Sequence, residues 1–262
     1  MTGSAASRIS LAILRRLCLL MAVLMALSGQ TTDGVAGELK AAVAANFSVV
    51  ARRLGVVFNS ASGHRVRFSF GSTGQLFAQI AQGAPFDIFL SADQARVQAA
   101  VDKGWAVAGS QFTYATGRIV LFSRTPGLQL EAHSLRIAPP QQIAIANPYT
   151  APYGAAAVQA MRALGVFAEL ENRLIRGMNI TQTYQFVATG NAEIGFVALS
   201  QVTENPSGSI WVVPHELHPA IAQDAVLLTN GSSNDAARDF LVFLRGVEAK
   251  WIVAQHGYGT KG

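Results

Sequence analysis

Cysteine is almost absent from this chain: the single one among 262 residues is Cys18, inside an apolar leader, so the exported protein has no disulfide and no thiolate metal site. Charge is also scarce, at 13% of residues. Lys and Arg occur in pairs at most, such as Arg52 and Arg53, and no basic stripe with interleaved aromatics appears, which argues against a nucleic-acid surface. No apolar run is long enough to span a bilayer, since Leu17 to Leu27 counts only eleven residues and no later segment is as apolar. What is present is a chain with 50% hydrophobic side chains, enough to bury a sizeable core without covalent or metal clips.

Arg8, Arg15 and Arg16 precede the Leu17 to Leu27 run, and this basic-then-apolar order predicts a secretory signal peptide within residues 1–36. Cleavage after Ser28 and cleavage after Ala36 both place small residues at the two key positions, and the mature chain begins near Glu38. A retained signal anchor needs a longer apolar stretch. Cys18 does not follow the apolar run, as a lipid anchor would require, so a soluble product is expected. Loss of residues 1–36 removes three Arg and one Asp, leaving 17 cations and 14 anions, a net charge of about +3.

From Glu38 onward, short apolar runs alternate with helical periodicity, the pattern of an α/β protein with mainly parallel strands flanked by helices. Strands are expected at 39–45, 66–70, 87–91, 119–123, 143–146, 173–176, 193–199, 210–213 and 225–229. Phe47, Val50, Ala51, Leu54 and Phe58 repeat with helical spacing, as do Ala237, Phe240, Leu241 and Leu244. No repeat, low-complexity tract or Pro/Ser-rich linker divides the chain.

Four junctions share one grammar of strand, small or polar residue, and helix start. They are VAANFSVVARRL at Asn46, FGSTGQLFAQI at Ser72 and Thr73, ANPYTAPYGAAAVQAM at Thr150 to Tyr153, and RGMNITQTYQFV at Asn179 and Ile180. Asn, Ser and Thr cap first turns and Pro152 suits the first helical position, so each junction alone is ordinary capping. In open α/β sheets, however, such turns gather at the carboxyl ends of strands, where ligands bind. A helix start carries roughly half a positive charge, so four aimed at one point supply about +2, matching a dianion without any formal cation. The Thr73 and Tyr153 hydroxyls are further candidate donors. None of the four turns contains Asp or Glu to accept a proton, which favours a fully deprotonated oxyanion over phosphate.

Other motifs compete poorly. GYGTKG at 257–262 matches a dinucleotide fingerprint, but no helix follows it; GSTGQL lacks the Lys-Ser/Thr of a P-loop, and Ser72 is in no nucleophile elbow. The five histidines are scattered, and His215 with His218 reads as a solvated pair rather than a metal site. Asp93 is expected to cap a helix over 94–103 and Asp87 to order the turn before its strand, although the two could form a carboxylate pair. Asn46, Asn179 and Asn230 begin glycosylation sequons that matter only in a eukaryotic secretory context.

VAANF, GSTGQLFAQIAQGAPFDIFLSAD, IAIANPYTAPYGAAA and IGFVALSQV resemble, in order and spacing, the periplasmic molybdate-binding proteins that feed ABC importers. The resemblance implies a two-lobed type II solute-binding fold, with lobes of about 38–116 plus 226–262 and about 117–225. It also implies an interlobe oxyanion site contacted by Ala45, Asn46, Thr73, Tyr153 and Ile180, several through backbone N–H. Molybdate, and by the same chemistry tungstate, is the implied ligand, with no cofactor, no catalytic residue and no direct protein–metal ligand. The partner is a membrane permease, the location periplasmic and the state monomeric. Position 45 is Ala where relatives often carry a hydroxyl, and Ala198 stands where one branch places a ligand-contacting Tyr. Two other readings stay open: a receptor for sulfate or another tetrahedral oxyanion, and a hydrolase using Ser72 or the Asp87 and Asp93 carboxylates.

Overall fold

The computed structural model describes residues 36–137, 140–203 and 207–260. The expected signal peptide, with Cys18, lies outside the described residues up to position 35, as do the last two residues of GYGTKG. The described chain forms two five-stranded sheets, one in each lobe. The first contains β1 (Glu38–Ala44), β2 (Arg65–Gly71), β3 (Ile88–Leu90), β4 (Phe112–Gly117) and β10 (Ile221–Leu227), in the order β2-β1-β3-β10-β4. The second contains β5 (Ile119–Ser123), β6 (Ile143–Ala146), β7 (Leu174–Gly177), β8 (Ile194–Ala198) and β9 (Ser209–Val212), in the order β7-β6-β8-β5-β9.

The sheets repeat one plan. β1 runs parallel to β2 and β3, while β10 is antiparallel to both β3 and β4. Likewise β6 is parallel to β7 and β8, while β5 is antiparallel to β8 and β9. Four of five strands in each sheet therefore point the same way. The reversed strand, β10 or β5, is the one through which the chain enters from the other lobe. Strands β5, β6 and β8 are buried along their whole length, which explains their continuous apolar sequences: helices or neighbouring chain cover both faces.

The longer helices follow from amphipathic spacing. On one face of the first sheet, α1 (Ser48–Ser62) buries Val50, Ala51, Leu54 and Phe58 beside Phe240, Leu241 and Leu244 of a C-terminal helix. Each such large apolar side chain contributes roughly 1.5–3 kcal/mol when fully buried. On the opposite face, α2 (Thr73–Ala81) and α3 (Ala95–Asp102) contribute Leu76, Ile80, Val97 and Ala100. The second sheet is covered by α4 (Pro152–Ala163), with Ala156, Ala157, Ala160 and Met161 turned inward, and by α5 (Ile180–Ala188), which buries Val187. The C-terminal pair, α6 (Asp235–Arg245) and α7 (Val247–Gln255), returns to the first lobe.

Strand β4 is absent from the sequence-based reading: FTYATG has strand-favouring Phe, Thr and Tyr but no continuous apolar run to mark it. Tertiary pairing with β10, interrupted by a bulge between Gln223 and Asp224, makes it a strand. β10 likewise begins at Ile221 rather than at 225, since the polar pair Gln223 and Asp224 hides the start of its apolar run.

Candidate functional site

The four junctions lie at the carboxyl ends of β1, β2, β6 and β7, two from each sheet. After β1 the chain makes a single turn of 3-10 helix, Ala45–Phe47. After β2, Ser72 caps α2 in a reciprocal capping box, its Oγ accepting from the Gln75 amide and its backbone N–H donating to Gln75 Oε1 at 3.3 Å. After β6, α4 opens with Pro152 in its first turn. After β7, the Asn179 side chain accepts from the Gln182 amide at 3.0 Å and caps α5.

These starts line one small cavity between the lobes. Its walls are Ala44, Ala45, Asn46, Gly71, Ser72, Thr73, Ala92, Ala151, Pro152, Tyr153 and Ile180, none of which carries a formal charge. All five candidate contacts from the sequence, Ala45, Asn46, Thr73, Tyr153 and Ile180, are among them. The space open to the centre of a water-sized sphere is only about 10 Å³, near the minimum for one water. The lobes touch around it. Gly74 donates its amide to Thr150 O at 2.8 Å, Thr181 Oγ1 donates to Ala45 O at 3.3 Å, and Arg96 Nη2 donates to Tyr149 O at 2.9 Å.

First-turn amides have no acceptor inside their own helix, so each must find another partner. In α2, Gly74 is used by Thr150 and Gln75 by Ser72, leaving the Thr73 amide. In α4, Pro152 has no N–H and Gly154 bonds Ala151 O, leaving Tyr153. In α5, Gln182 is capped and Thr183 bonds Asn179 O, leaving Ile180 at the cavity wall and Thr181 beside it. The turn at Ala45 and Asn46 adds two more. Capping thus consumes several neighbouring donors; of the amides left over, those of Thr73, Tyr153 and Ile180 belong to cavity-lining residues, while Thr181 stands next to the cavity without lining it. Gly154 lets α4 start this close: a Cβ there would lie 2.0 Å from Ala146 O.

Side chains divide between two roles. Thr73 Oγ1, 1% exposed, accepts from the Ala92 amide at 3.0 Å, so its proton remains to be donated. Asn46 and Tyr153 differ from expectation. The Asn46 side chain caps no helix; Nδ2 donates to Gln223 Oε1 at 2.9 Å and to Tyr258 at 3.0 Å. The Tyr153 hydroxyl meets Asn46, Gln223 and Tyr258 in the same buried network, which leaves its backbone amide as the group at the cavity. Tyr114 donates to Gln223 Oε1 at 3.0 Å, and Ser200 Oγ donates to Asn46 O at 3.1 Å. Burial pushes the Tyr258 hydroxyl up to about 12. Tyr114 and Tyr153 are raised well above the ordinary tyrosine value, again chiefly by burial.

Gln223, Tyr258, Tyr114 and Ser200 escape the sequence reading. The available signal was a polar residue inside the apolar strand around Gln223; Tyr258 lies in the GYGTKG segment, whose Gly259 pairs with Thr116 beside β4. Ala198 is fully buried and does not line the cavity; its amide donates to Gln201 Oε1 at 3.0 Å.

The competing chemistries find little support in the geometry. Ser72 is committed to its cap, and no His, Asp or Glu lines the cavity to act as a base for it. Asp87 accepts from the Lys40 amide at 2.6 Å, and Asp93 Oδ1 accepts from the Arg96 amide at 2.9 Å, both structural tasks. His64 bonds the Gly37 amide and pairs with Asp239, while His218 contacts Pro219 O. Among the described residues no group of three or more His, Cys, Asp or Glu is arranged to hold a metal ion.

Two sheets on one plan, with uncharged helix starts from both converging on a small interlobe cavity, define an α/β binding protein of the type II, two-lobed class. The family model for bacterial extracellular solute-binding proteins matches residues 39–259, and the chain belongs to that family. Among its relatives is the molybdate-binding protein ModA of Rhodobacter capsulatus, 47% identical over 233 residues that cover 89% of this chain and 92% of the relative. Another is ModA of Azotobacter vinelandii, 45% identical over 230 residues, 86% of this chain and 91% of the relative. The solved Azotobacter vinelandii periplasmic molybdate-binding protein superposes with a TM-score of 0.82 at 35% identity, covering 86% of this chain and all of that one. The sulfate-binding protein SubI of Mycobacterium tuberculosis shares the fold, with a TM-score of 0.70 at 15% identity.

Proposed function

We propose that this protein captures molybdate outside the cytoplasm, and tungstate by the same tetrahedral dianion chemistry, and presents it to the membrane permease of an ABC importer. The observation that carries the reading is the convergence of leftover first-turn amides from four chain starts on a cavity without a formal charge. Ala45, Asn46, Thr73, Tyr153 and Ile180 hold the anion through backbone N–H groups, and the Thr73 hydroxyl adds a side-chain donor. Such partial charges suit a dianion that only accepts hydrogen bonds. Hydrogen phosphate would bring a proton for which the wall offers no carboxylate.

The protein binds and releases without catalysis, as a monomer and without nucleic acid, after removal of its signal peptide on export to the periplasm. The lobes separate about the two chain crossings, β4 into β5 and the return into β10. The names of the relatives at 45–47% identity support molybdate over sulfate. Calorimetric titration of the mature protein with molybdate, tungstate, sulfate and phosphate tests this: tight binding of the first two, weaker sulfate and no phosphate is expected. Preference for sulfate would replace the assignment with a sulfate receptor. Turnover of ester or phosphate substrates that is lost in Ser72→Ala would establish catalysis instead.

A further inference from the structure

Tyr153 has two ends in different surroundings. Its amide opens α4 at the cavity, while its hydroxyl crosses from the second lobe into the first. There it is received by Asn46 Nδ2 at 3.5 Å and Gln223 Nε2 at 3.3 Å, and it is hydrogen-bonded to Tyr258. The recess is closed by Gly117, the last residue of β4. A Cβ at that position would lie 2.1 Å from the Tyr153 hydroxyl oxygen, 2.9 Å from its ring carbon Cζ and 2.7 Å from Gln223 Nε2. Gly117 is not among the glycines with positive φ. Its backbone would therefore accept alanine, and what the missing side chain provides is room for the tyrosine.

The hydrogen bonds around the recess are ordered from one fixed point. Tyr258 OH lies 2.7 Å from the backbone oxygen of Asn46, and only the tyrosine can supply the hydrogen between them. Asn46 must then turn its NH₂ toward Tyr258 and toward Gln223 Oε1, which leaves Gln223 Nε2 facing the Tyr153 oxygen. Parting the lobes would withdraw the hydroxyl and break its bonds to Asn46 and Gln223, while the Asn46, Gln223 and Tyr258 bonds stay within the first lobe.

We propose that Tyr153 and Gly117 form a plug and socket that sets how far the lobes close and so positions the Tyr153 amide on the bound anion; the inference rests on the oxyanion-binding reading above. The ring and hydroxyl are positioning groups: they act through closure, and the amide alone faces the ligand.

The test is a double-mutant cycle in the mature protein, read by molybdate titration and by small-angle scattering at saturating molybdate. Gly117→Ala blocks the socket and is expected to weaken binding about tenfold or more. It should also leave the liganded protein more extended than wild type. In a Tyr153→Leu background, where the shorter side chain vacates the socket, adding Gly117→Ala should change little. Equal weakening in both backgrounds overturns the pairing. Should Gly117→Ala fail to fold, Tyr153→Phe removes the hydroxyl alone. That variant should release molybdate about threefold to tenfold faster, with the order of preference among molybdate, tungstate and sulfate unchanged. An unaltered release rate overturns the proposal. A wild-type protein that binds none of these anions would overturn the functional reading and the latch with it, whereas additive losses in a wild type that binds would overturn the latch alone.

Discussion

Thr73 shows how one residue acquires a direction. Its hydroxyl oxygen receives the Ala92 amide at 3.0 Å while its own hydrogen stays free, so towards an anion that only accepts, the group acts as a donor. Thr73→Ala is expected to weaken molybdate binding by about 1–3 kcal/mol, the range for removing a donor from a charged, dehydrated partner. Calorimetry giving wild-type affinity would remove Thr73 from the contacts. At this scale the sequence revealed residue types better than side-chain directions. Thr73 stands at a helix start that its neighbours announce, so its position was legible. Asn46 stood at a similar junction, yet its amide group turns away to Gln223, a residue 177 positions along the chain. No local pattern records such a partner, and the same holds for the Tyr153 hydroxyl.

Elements carry the site by where they begin. The start of α5 is fixed by Asn179, whose side chain occupies the Gln182 amide at 3.0 Å and leaves the Ile180 amide over. Asn179→Ala should cost about 1 kcal/mol of stability, measured by urea denaturation, and should weaken oxyanion binding as the first turn frays. A variant of unchanged stability would mean that packing of Val187 and its neighbours, not the cap, holds this helix. The starts of α2, α4 and α5 were legible because capping residues and proline are local signals. Strand β4 was not, since its order comes from pairing with β10 rather than from its own residues. The bulge at Gln223 and Asp224 has the same origin, and it falls at the residue that joins the interlobe network.

At the scale of the whole molecule, three buried tyrosines join the lobes behind the cavity. An unfolded tyrosine ionises near pH 10, whereas burial holds Tyr258 at about 12 and raises Tyr114 and Tyr153 as well. The folded chain therefore keeps these protons more tightly. Their contribution is fully present below about pH 10 and is lost as pH rises from there through about 12. Thermal unfolding followed from about pH 9 to about pH 11 should show this decline, less steeply in Tyr258→Phe; parallel profiles would place the loss elsewhere. Molybdate affinity should change little with moderate salt, because enclosed partners are weakly screened. A steep dependence on ionic strength would indicate exposed cations. The two-lobed plan was readable from alternating strands and helices, while the room that Gly117 leaves for Tyr153, and that Gly154 leaves for Ala146 at the start of α4, comes from missing atoms that composition alone does not interpret. An uncharged wall has one more consequence. Nothing in it can be neutralised by acid or alkali near neutrality, so a shift of pH gives the cargo no exit and unloading waits on the halves coming apart.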